Sequence, residues 1–412
     1  MRLEDIDICS PDTYVSGVPH EAYRLLRKEA PVHFFKETGS VWTPGVERGP
    51  GFWALTKYAD IVAVSKDPTR FSSARGGTNI EEVSPEDLSV IRLLMVNMDP
   101  PEHGKFRRLV SVGFTPRMVA LLEPRIRHVT NQLIDGIAQK GEADFVKSIA
   151  IELPLQVICE FLGVPHEDRH KVIDWTNRLL GFDDPELHTS PEDGKVAAME
   201  MWMYASELTE VKKVTPGEDL ISVLLKAELE GLKLTEEELY SFFLLLSVAG
   251  NETTRNLVSG GLLALMENPD QRARLVADPS LIPSAAEEML RWVCPLNYFR
   301  RTATVDVEIR GVKIREGDKV AMFYPSANRD EEVFPNADTF DIGRTPNEHL
   351  SFGIGEHFCL GANLARLEIR VLFEELLRRL PDMELAGPVR KLRSNFINGY
   401  KSLPVRFTPE KV

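Results

Sequence analysis

The spacing of apolar and polar positions predicts a chain whose middle is helical. From about Glu102 to Glu288, apolar residues recur every three or four positions, as they do along amphipathic helices. The longest helix is predicted from Thr235 to Met266, and about 1.5 Å per residue would make it roughly 45 Å long. Thr235 and Glu238 match a capping box at its start. Its middle is apolar on nearly every face, so we expect it to be buried.

Strand patterns flank this helical region. Residues 52–64 predict a strand, a turn and a short helix. After Arg301 the run TVDVEIRGVKIREGDKVAMFY alternates apolar and polar residues around two glycine turns, which predicts antiparallel strands. Helical periodicity resumes after Cys359. No Gly/Ser linker or repeat divides the chain, so we expect residues 1–412 to form a single domain, mainly α with a smaller β portion (α+β).

The composition limits which cellular compartment and which classes of binding partner we expect. The formal net charge is -14 and the pI is about 5.3, so the surface as a whole would repel phosphate, and we expect no nucleic-acid partner. The four cysteines form no CxxC pair, which fits a reducing compartment without a disulfide framework. The N-terminus lacks the apolar stretch of a signal peptide, and no apolar run is long enough to span a bilayer. We therefore expect a cytoplasmic protein with no membrane span.

The most specific segment is FGIGEHFCLG, which holds a single cysteine among three glycines. Gly353 and Gly355 can adopt positive φ and let the backbone approach a flat partner closely. Gly361 removes side-chain bulk near the start of the following helix. Cys359 would then lie at a helix N-terminus, where amide donors and the helix dipole favour a thiolate. The residues alone leave three interpretations: a metal ligand, a nucleophile with His357 as its base, or a buried structural cysteine.

Two further segments carry polar groups in apolar surroundings. The long helix contains AGNETTR, in which Glu252 and Thr253 interrupt an apolar run, and burying them costs a few kcal/mol unless they have partners. The same residues are equally well explained by a purely structural role, in which the small residues let another element pack against the helix and the threonine hydroxyl bonds to the helix backbone. EEMLRW places Glu288 and Arg291 three residues apart, a spacing that usually gives a weak exposed salt bridge.

Taken together, these segments resemble the cytochrome P450 family. FGIGEHFCLG matches the family's Phe-Gly-x-Gly-x-His-x-Cys-x-Gly at every fixed position, and DPPEH, AGNETT, ExxR, ANRD and NGYKSLPVRF occur in the family's order. The resemblance implies the cytochrome P450 fold, a helical bundle with a long central helix over haem b (iron protoporphyrin IX) and small antiparallel sheets. SVAGNETTRN is most similar to soluble bacterial members, especially actinobacterial enzymes that oxidise sterols, terpenoids and branched lipids.

The resemblance also implies roles for single residues. It assigns Cys359 as the ligand of the haem iron. It assigns Glu252 and Thr253 as the catalytic pair that delivers protons during oxygen activation, and Glu288 with Arg291 as a structural pair. The residues expected to bind the cofactor are His103, Arg107, Arg301 and His357 at the propionates, together with Cys359, Phe352, Gly353, Gly361, Ala249 and Gly250.

The family's substrate-contacting regions map onto this chain by position. They include the loop between Phe71 and Met98 and the stretch Leu179–Phe182. Most of the mapped residues are apolar, so we expect an apolar substrate such as a terpenoid, a steroid, or a branched or fatty lipid. Ordinary core packing explains each of them equally well. The candidates are Val96, Met98, Leu179, Leu245, Val248, Val293, Leu296, Asn297, Tyr298 and Ile397, with Asn398 as a further polar group.

The reaction implied is a monooxygenation, in which one atom of O2 enters the substrate and the other leaves as water. The chain has no cysteine cluster and no GxGxxG segment for a flavin or nicotinamide, so electrons from NAD(P)H would arrive through a separate ferredoxin reductase and ferredoxin. Lys105, Arg108, Arg344 and Arg366 are expected to form a basic patch for an acidic ferredoxin. A peroxide-driven peroxygenase and a haem-based sensor are the alternatives, although neither needs the acid–alcohol pair. We expect a monomer.

Overall fold

Helices make up most of the described chain. The computed structural model describes residues 1–37, 49–181, 183–187, 190 and 192–411. In this part of the chain the α-helices are α1 (His20–Glu29), α2 (Tyr58–Ser65), α3 (Pro85–Ile91), α4 (Glu102–Val110), α5 (Pro116–Ala120), α6 (Glu123–Ala138), α7 (Glu152–Leu162), α8 (Arg169–Leu180), α9 (Asp193–Val214), α10 (Leu220–Lys226), α11 (Glu236–Glu267), α12 (Pro269–Ala277), α13 (Ile282–Val293), α14 (Tyr324–Ala327) and α15 (Ala362–Arg379). The predicted mainly α architecture is confirmed.

Strands form small sheets beside the helices. They are β1 (Val32–Phe35), β2 (Phe52–Leu55), β3 (Phe71–Ser72), β4 (Glu142–Asp144), β5 (Tyr298–Ala303), β6 (Val307–Ile309), β7 (Val312–Ile314), β8 (Lys319–Phe323), β9 (Glu384–Leu385), β10 (Arg390–Lys391), β11 (Tyr400–Ser402) and β12 (Pro404–Arg406). The largest sheet has the order β1-β2-β8-β5-β3, and smaller sheets join β4-β12-β9, β10-β11 and β6-β7. Short 3-10 helices lie at Leu3–Asp5, Pro11–Tyr14, Met95–Asn97, Ser111–Phe114, His166–Asp168, Pro279–Leu281 and Gly355–His357, and a π-helix lies at Val146–Ala150.

The predicted long helix is α11, which begins one residue after its cap. The Thr235 hydroxyl accepts from the Glu238 N–H at 3.2 Å, while the Glu238 carboxylate accepts from the Thr235 N–H at 2.8 Å, so the capping box is present. Most of the helix is buried between α7, α8, α9, α13 and α15. Within the described residues, no helix is both long and apolar enough to cross a membrane.

The strand prediction after Arg301 is correct for β6 and β7 but incomplete for β8. β6 and β7 pair antiparallel around Arg310 and Gly311, both of which have positive φ. β8 pairs antiparallel with β5 on one side, yet parallel with β2 on the other. Alternation of apolar residues identifies a strand but not its neighbours, and therefore the parallel pairing could not be predicted from this segment.

The Glu288–Arg291 pair joins α13 to the segment that precedes the cysteine loop. Both side chains are fully buried, and two hydrogen bonds of 2.8 and 2.7 Å connect guanidinium and carboxylate. Arg291 also donates to the carbonyl oxygens of Asn328, Ala337 and Thr339. A network of this kind fixes one arrangement of the chain, because a displaced partner would leave a buried charge uncompensated.

Candidate active site

A large cavity separates α11 from the cysteine loop. Ala249, Gly250, Thr253 and Thr254 of α11 form part of one wall, and Cys359 lies in the opposite wall. The cavity is also lined by every residue predicted to bind the cofactor: His103, Arg107, Arg301, His357, Phe352, Gly353, Gly361, Ala249, Gly250 and Cys359. The structure therefore brings together segments that lie far apart in the sequence.

The cysteine loop adopts the backbone that its glycines predict. Gly353 and Gly355 have φ values of 67° and 80°, which residues with a side chain rarely adopt. A Cβ at Gly355 would lie 2.7 Å from the carbonyl oxygen of Ser65, so glycine is also required there for close packing against the end of α2. Gly361 is the residue before α15 rather than its first turn. Cys359 therefore lies just outside the helix start.

Burial raises the pKa of the Cys359 thiol. A hydrogen bond from the Gly361 N–H and the charges of Arg107 and Arg366 act in the opposite direction but do not outweigh the burial. This differs from the prediction that amide donors and the helix dipole alone favour the thiolate. A thiolate at this depth would need a further positive partner, such as a metal ion in the cavity.

Four basic side chains surround one side of the cavity. Arg301 and Arg107 form no ion pair among the described residues, and their guanidinium groups donate to the carbonyl oxygens of Arg300 and Phe358. His103 is 1 % exposed, and its Nε2 atom has no hydrogen-bond partner. The rings of His103 and His357 lie 4.1 Å apart, centroid to centroid. Arg301 and His103 are buried, whereas Arg107 and His357 are half-buried, and a buried charge such as that of Arg301 is costly unless an anion compensates it.

The pKa values of the two histidines are lowered first by burial and then by the neighbouring positive charges. Burial, followed by the charges of Arg107 and Arg301, lowers the pKa of His103 to about 4. Burial, followed by the charges of Arg301, His103 and Arg107, lowers the pKa of His357 to about 2. The cluster thus provides two guanidinium groups and two imidazole rings to whatever enters the cavity. This donor set fits a group with two carboxylates, such as the propionates of haem, and the nearby thiol fits its iron.

Thr253 faces the cavity, whereas Glu252 does not. The Thr253 hydroxyl donates to the Ala249 carbonyl oxygen at 2.6 Å and lies in the cavity wall. Glu252 is 1 % exposed and is absent from the lining. Successive helical residues are rotated by about 100°, so the acid and the hydroxyl of this pair point to different sides of α11. Gly250 has a second role, because a Cβ there would lie 2.9 Å from Ile158 of α7.

The Glu252 carboxylate is held by its own helix. One of its oxygens, Oε1, accepts hydrogen bonds from Arg255 and, at 2.9 Å, from Asn256. The other oxygen, Oε2, has no hydrogen-bond partner. Arg255 in turn donates to the Asn177 side chain of α8 at 3.1 Å. The acid is therefore ion-paired on the side of α11 that faces α8.

Only part of the predicted substrate pocket lines this cavity. Val96, Leu245 and Leu296 do so, while Val293 packs against Gly260 and Tyr298 donates to Asn79 at 2.6 Å. Phe182 lies outside the described residues. The predicted residues absent from the lining are Met98, Leu179, Val248, Val293, Asn297, Tyr298, Ile397 and Asn398. Those of them with polar side chains, Asn297, Tyr298 and Asn398, instead hydrogen-bond to the protein.

Sequence reasoning missed several residues of the lining. Phe114, Ile158, Phe242 and Phe299 add apolar surface to it. Glu368 of α15 also lies there; its side chain is buried, its Oε2 atom has no partner, and burial raises its pKa to about 8. The available signal was a single acidic residue between Leu367 and Ile369 in the stretch LARLEIRVL.

Two members of the predicted basic patch are engaged within the protein. Arg344 is paired with the buried carboxylate of Glu288 at 3.1 Å. Arg366 is paired with Glu287 at 2.7 Å and stacks on Phe352, with 4.6 Å between its guanidinium carbon and the ring centroid. Arg366 thus packs against the cysteine loop and Arg344 against the Glu288–Arg291 pair, and so the patch available to a partner is smaller than predicted.

Comparisons with known proteins agree with this geometry. The family model described as Cytochrome P450 matches residues 203–381. A methyl-branched lipid omega-hydroxylase of Mycobacterium tuberculosis (strain ATCC 25618 / H37Rv) is 43% identical over 413 residues, which cover 98% of this chain and 95% of that protein. A steroid C26-monooxygenase of Rhodococcus jostii (strain RHA1) is 40% identical over 408 residues, covering 98% and 85%. A solved Mycobacterium marinum cytochrome P450 in complex with pseudoionone superposes with a TM-score of 0.89 at 38% identity, covering 98% of both chains.

Proposed function

This chain belongs to the cytochrome P450 family, and we propose that it hydroxylates methyl-branched or steroid-like lipids with electrons from a separate ferredoxin system. It is a monooxygenase of apolar substrates and binds haem b. Its relatives carry the names of an omega-hydroxylase and a C26-monooxygenase. For this chain we therefore propose that oxygen enters a carbon near the end of an aliphatic chain.

The unpaired basic cluster is the observation that carries the assignment of the cofactor site. Arg107, Arg301, His103 and His357 would hold the two haem propionates, because neither arginine is ion-paired among the described residues and the buried Nε2 atom of His103 has no hydrogen-bond partner. Cys359 would be the iron ligand, since its sulfur lies in the same cavity and its burial disfavours a thiolate that lacks a cation. When bound, the haem supplies the activation of dioxygen.

The protein's own contribution is to exclude water, orient the substrate and supply protons. The apolar side chains of Val96, Leu245, Leu296 and Phe299 would orient a hydrocarbon above the cofactor. The Thr253 hydroxyl, which lies in the wall of the cavity, would pass protons inward. Glu252 would supply them, and for this its carboxylate must leave Arg255, because it lies outside the lining.

An acidic ferredoxin would dock near the cysteine loop. Lys105 and Arg108 of α4 are exposed there, and Phe358 exposes 39% of its surface beside Cys359. A basic patch with an apolar centre suits a transient acidic partner. At low salt, Lys105→Glu and Arg108→Glu should slow reduction by ferredoxin about tenfold, while Lys213→Glu on α9 should not. Equal rates in all three variants would refute this docking site.

Substrate titration tests the proposed function directly. Purified protein would be titrated with a methyl-branched fatty acid, its straight-chain isomer, a steroid and a small aromatic compound, and the ferric spin-state shift recorded. The branched acid or the steroid should bind at least tenfold more tightly than the aromatic compound. Product formation should require NAD(P)H, ferredoxin reductase and ferredoxin together. Tightest binding of the aromatic compound would contradict the substrate class, and equal product yield with peroxide alone would favour the peroxygenase.

A further inference from the structure

The charged side chains of the cavity leave no cation for a substrate. Among the described residues of the lining, the groups that can carry a positive charge are His103, Arg107, Arg301 and His357. All four belong to the basic cluster, and its two permanently charged guanidinium groups match the two propionates of haem one for one. Ferric iron leaves the porphyrin with one further positive charge, which a Cys359 thiolate would cancel. A bound substrate would therefore occupy a site that has no surplus positive charge.

The part of the lining that would contact the substrate is an apolar wall. It is formed by Val96, Leu245, Leu296 and Phe299, whose side chains contain no hydrogen-bond donor. The Thr253 hydroxyl in the same lining already donates to a carbonyl oxygen of its own helix at 2.6 Å, so its oxygen is left as an acceptor. A carboxylate has acceptors only. Placed against this wall, it would have neither a donor nor a counterion.

We propose that this protein binds its lipid in a non-ionic form, as an alcohol, a ketone or an ester, and excludes lipids that end in a free carboxylate. The inference rests on the proposed function and adds the chemical class of the head group. It assigns a role in specificity to the apolar wall, because Val96, Leu245 and Leu296 occupy positions at which a carboxylate-binding site would need a lysine or an arginine.

The physical basis of this exclusion is the cost of burying a charge. An ionised carboxylate that leaves water without a partner loses its hydration, whereas a hydroxyl, ketone or ester group loses far less. A free acid could enter the cavity only after taking up a proton. Near neutral pH, well above the ordinary pKa of a carboxylic acid, few of its molecules are protonated. The acid should therefore bind weakly at neutral pH and more tightly in acid.

The segment that leads into the apolar wall adds repulsion. Residues 80–96 include α3, end at Val96 of the lining, and contain four acidic residues but one basic residue. Glu86 is exposed and forms no ion pair among the described residues, while Asp87 pairs with Lys195 of α9 at 2.6 Å. A longer acid that kept its carboxylate in water beside this segment would therefore face a like charge rather than a cation.

Matched lipids test the inference on the unmodified protein. The haem-loaded protein would be titrated with one methyl-branched fatty acid, its methyl ester and the corresponding primary alcohol, each below the concentration at which it forms micelles. Binding would be measured by the ferric spin-state shift and, independently, by calorimetry. Near neutral pH the ester and the alcohol should bind at least about tenfold more tightly than the acid. The acid, unlike the ester, should gain affinity as the pH falls towards its own pKa, and equal affinities near neutral pH would overturn the inference.

Ionic strength separates the contribution of the cavity from that of the acidic segment. Raising the salt concentration should narrow the difference between acid and ester, because salt screens charges that face water. It should not abolish the difference, because salt supplies no cation to the apolar wall. A difference that disappears at high salt would assign the discrimination to the surface alone and would refute the role of the wall.

A lysine in the apolar wall should supply the missing cation. Val96→Lys should raise the affinity for the acid about tenfold and lower the affinity for the ester in the same titrations. Val90→Lys is the matched control, because Val90 lies in the same segment but is 63% exposed and outside the lining. Leu296→Lys tests a second position of the wall in case Val96→Lys retains less haem than the parent. If the ratio of the two affinities stays parental in both wall variants, or changes as much in Val90→Lys, the inference is wrong.

The same titrations distinguish this inference from the proposed function. If the branched ester, the branched alcohol and a steroid ketone all fail to shift the spin state, the proposed substrate class is wrong and this inference fails with it. If these lipids bind but the free acid binds equally tightly, the substrate class stands and only the inference fails.

Discussion

The Thr253 hydroxyl is bonded at 2.6 Å to the carbonyl oxygen of Ala249, one turn earlier on α11, and both residues line the cavity. This contact orients the hydroxyl in the wall of the cavity. In Thr253→Ala, NAD(P)H use should continue while product per NAD(P)H falls about tenfold and hydrogen peroxide rises, because an ordered proton donor is missing. Ser259→Ala is the matched control, since Ser259 makes the same type of bond to Arg255 at 2.7 Å but lies outside the lining. If Thr253→Ala forms as much product per NAD(P)H as the parent, the contact has only a structural role in the helix.

Replacing the cavity thiol tests the proposed iron ligand. Cys359→Ser should lose the strongly red-shifted band that the ferrous protein with carbon monoxide shows under thiolate ligation, because a serine oxygen is a different donor. Cys294→Ser is the control, as Cys294 is also a free cysteine but is buried outside the cavity lining. If the band survives in Cys359→Ser, a different residue is the ligand.

Neighbouring arginines on β5 offer a test of propionate binding. Arg301 lines the cavity, whereas Arg300 donates to the carbonyl oxygens of Asn79 and Ile80 on the other side of the sheet. Arg301→Lys should lose haem to an acceptor protein about tenfold faster, because one lysine cannot reproduce the guanidinium fork. Arg300→Lys should retain haem as the parent does. Equal loss rates in the two variants would place the propionates elsewhere.

Removing Arg291 should destabilise the protein strongly. Its side chain is completely buried and joins Glu288 to three carbonyl oxygens, so Arg291→Ala should lower the free energy of unfolding by about 3–5 kcal/mol. Lys213→Ala removes exposed ion pairs with Glu210 and Glu236 and should leave the free energy of unfolding nearly unchanged. Denaturant titration of both variants measures the difference. A cost below about 1 kcal/mol for Arg291→Ala would contradict the structural role.

The buried carboxyl group of Glu368 should make the free energy of unfolding depend on pH. Burial raises its pKa to about 8 in the folded protein, above the usual value of about 4.3. The folded state therefore keeps a proton that the unfolded state has lost, and this side chain costs increasing stability as the pH rises from about 4.3 towards 8. Glu368→Gln removes that cost, so the variant should gain about 3 kcal/mol relative to the parent between pH 5 and pH 8. A difference that does not change with pH would refute the raised pKa.

Local features of the fold followed from the sequence because they depend on neighbouring residues. The capping box of α11 needs only Thr235 and Glu238, and the positive φ angles at Gly353 and Gly355 need only the absence of a side chain. The spacing of His103 and Arg107 likewise placed both on one face of α4, towards the cavity.

Features that depend on distant partners did not follow from the sequence. Glu252 and Thr253 are adjacent, yet the direction of the Glu252 carboxylate is determined by Arg255 and through it by Asn177 of α8. The three polar pocket residues that were mapped by position are held outside the lining by hydrogen bonds to other segments, as Tyr298 is by its bond to Asn79. The burial of Glu368 depends on how α15 packs against the cavity, and therefore it could not be predicted from neighbouring residues.

The parallel pairing of β2 with β8 has a consequence for how the chain reaches its native state. Trp53 pairs with Val320, Phe71 with Ala303 and Asp144 with Pro404, and each pair joins residues more than 200 positions apart. Contacts this far apart slow folding, because a long loop must close before they form. During synthesis, the edge of β2 that pairs with β8 therefore stays open until most of the chain has left the ribosome. Chaperones that cover open strand edges should therefore raise the yield of native protein.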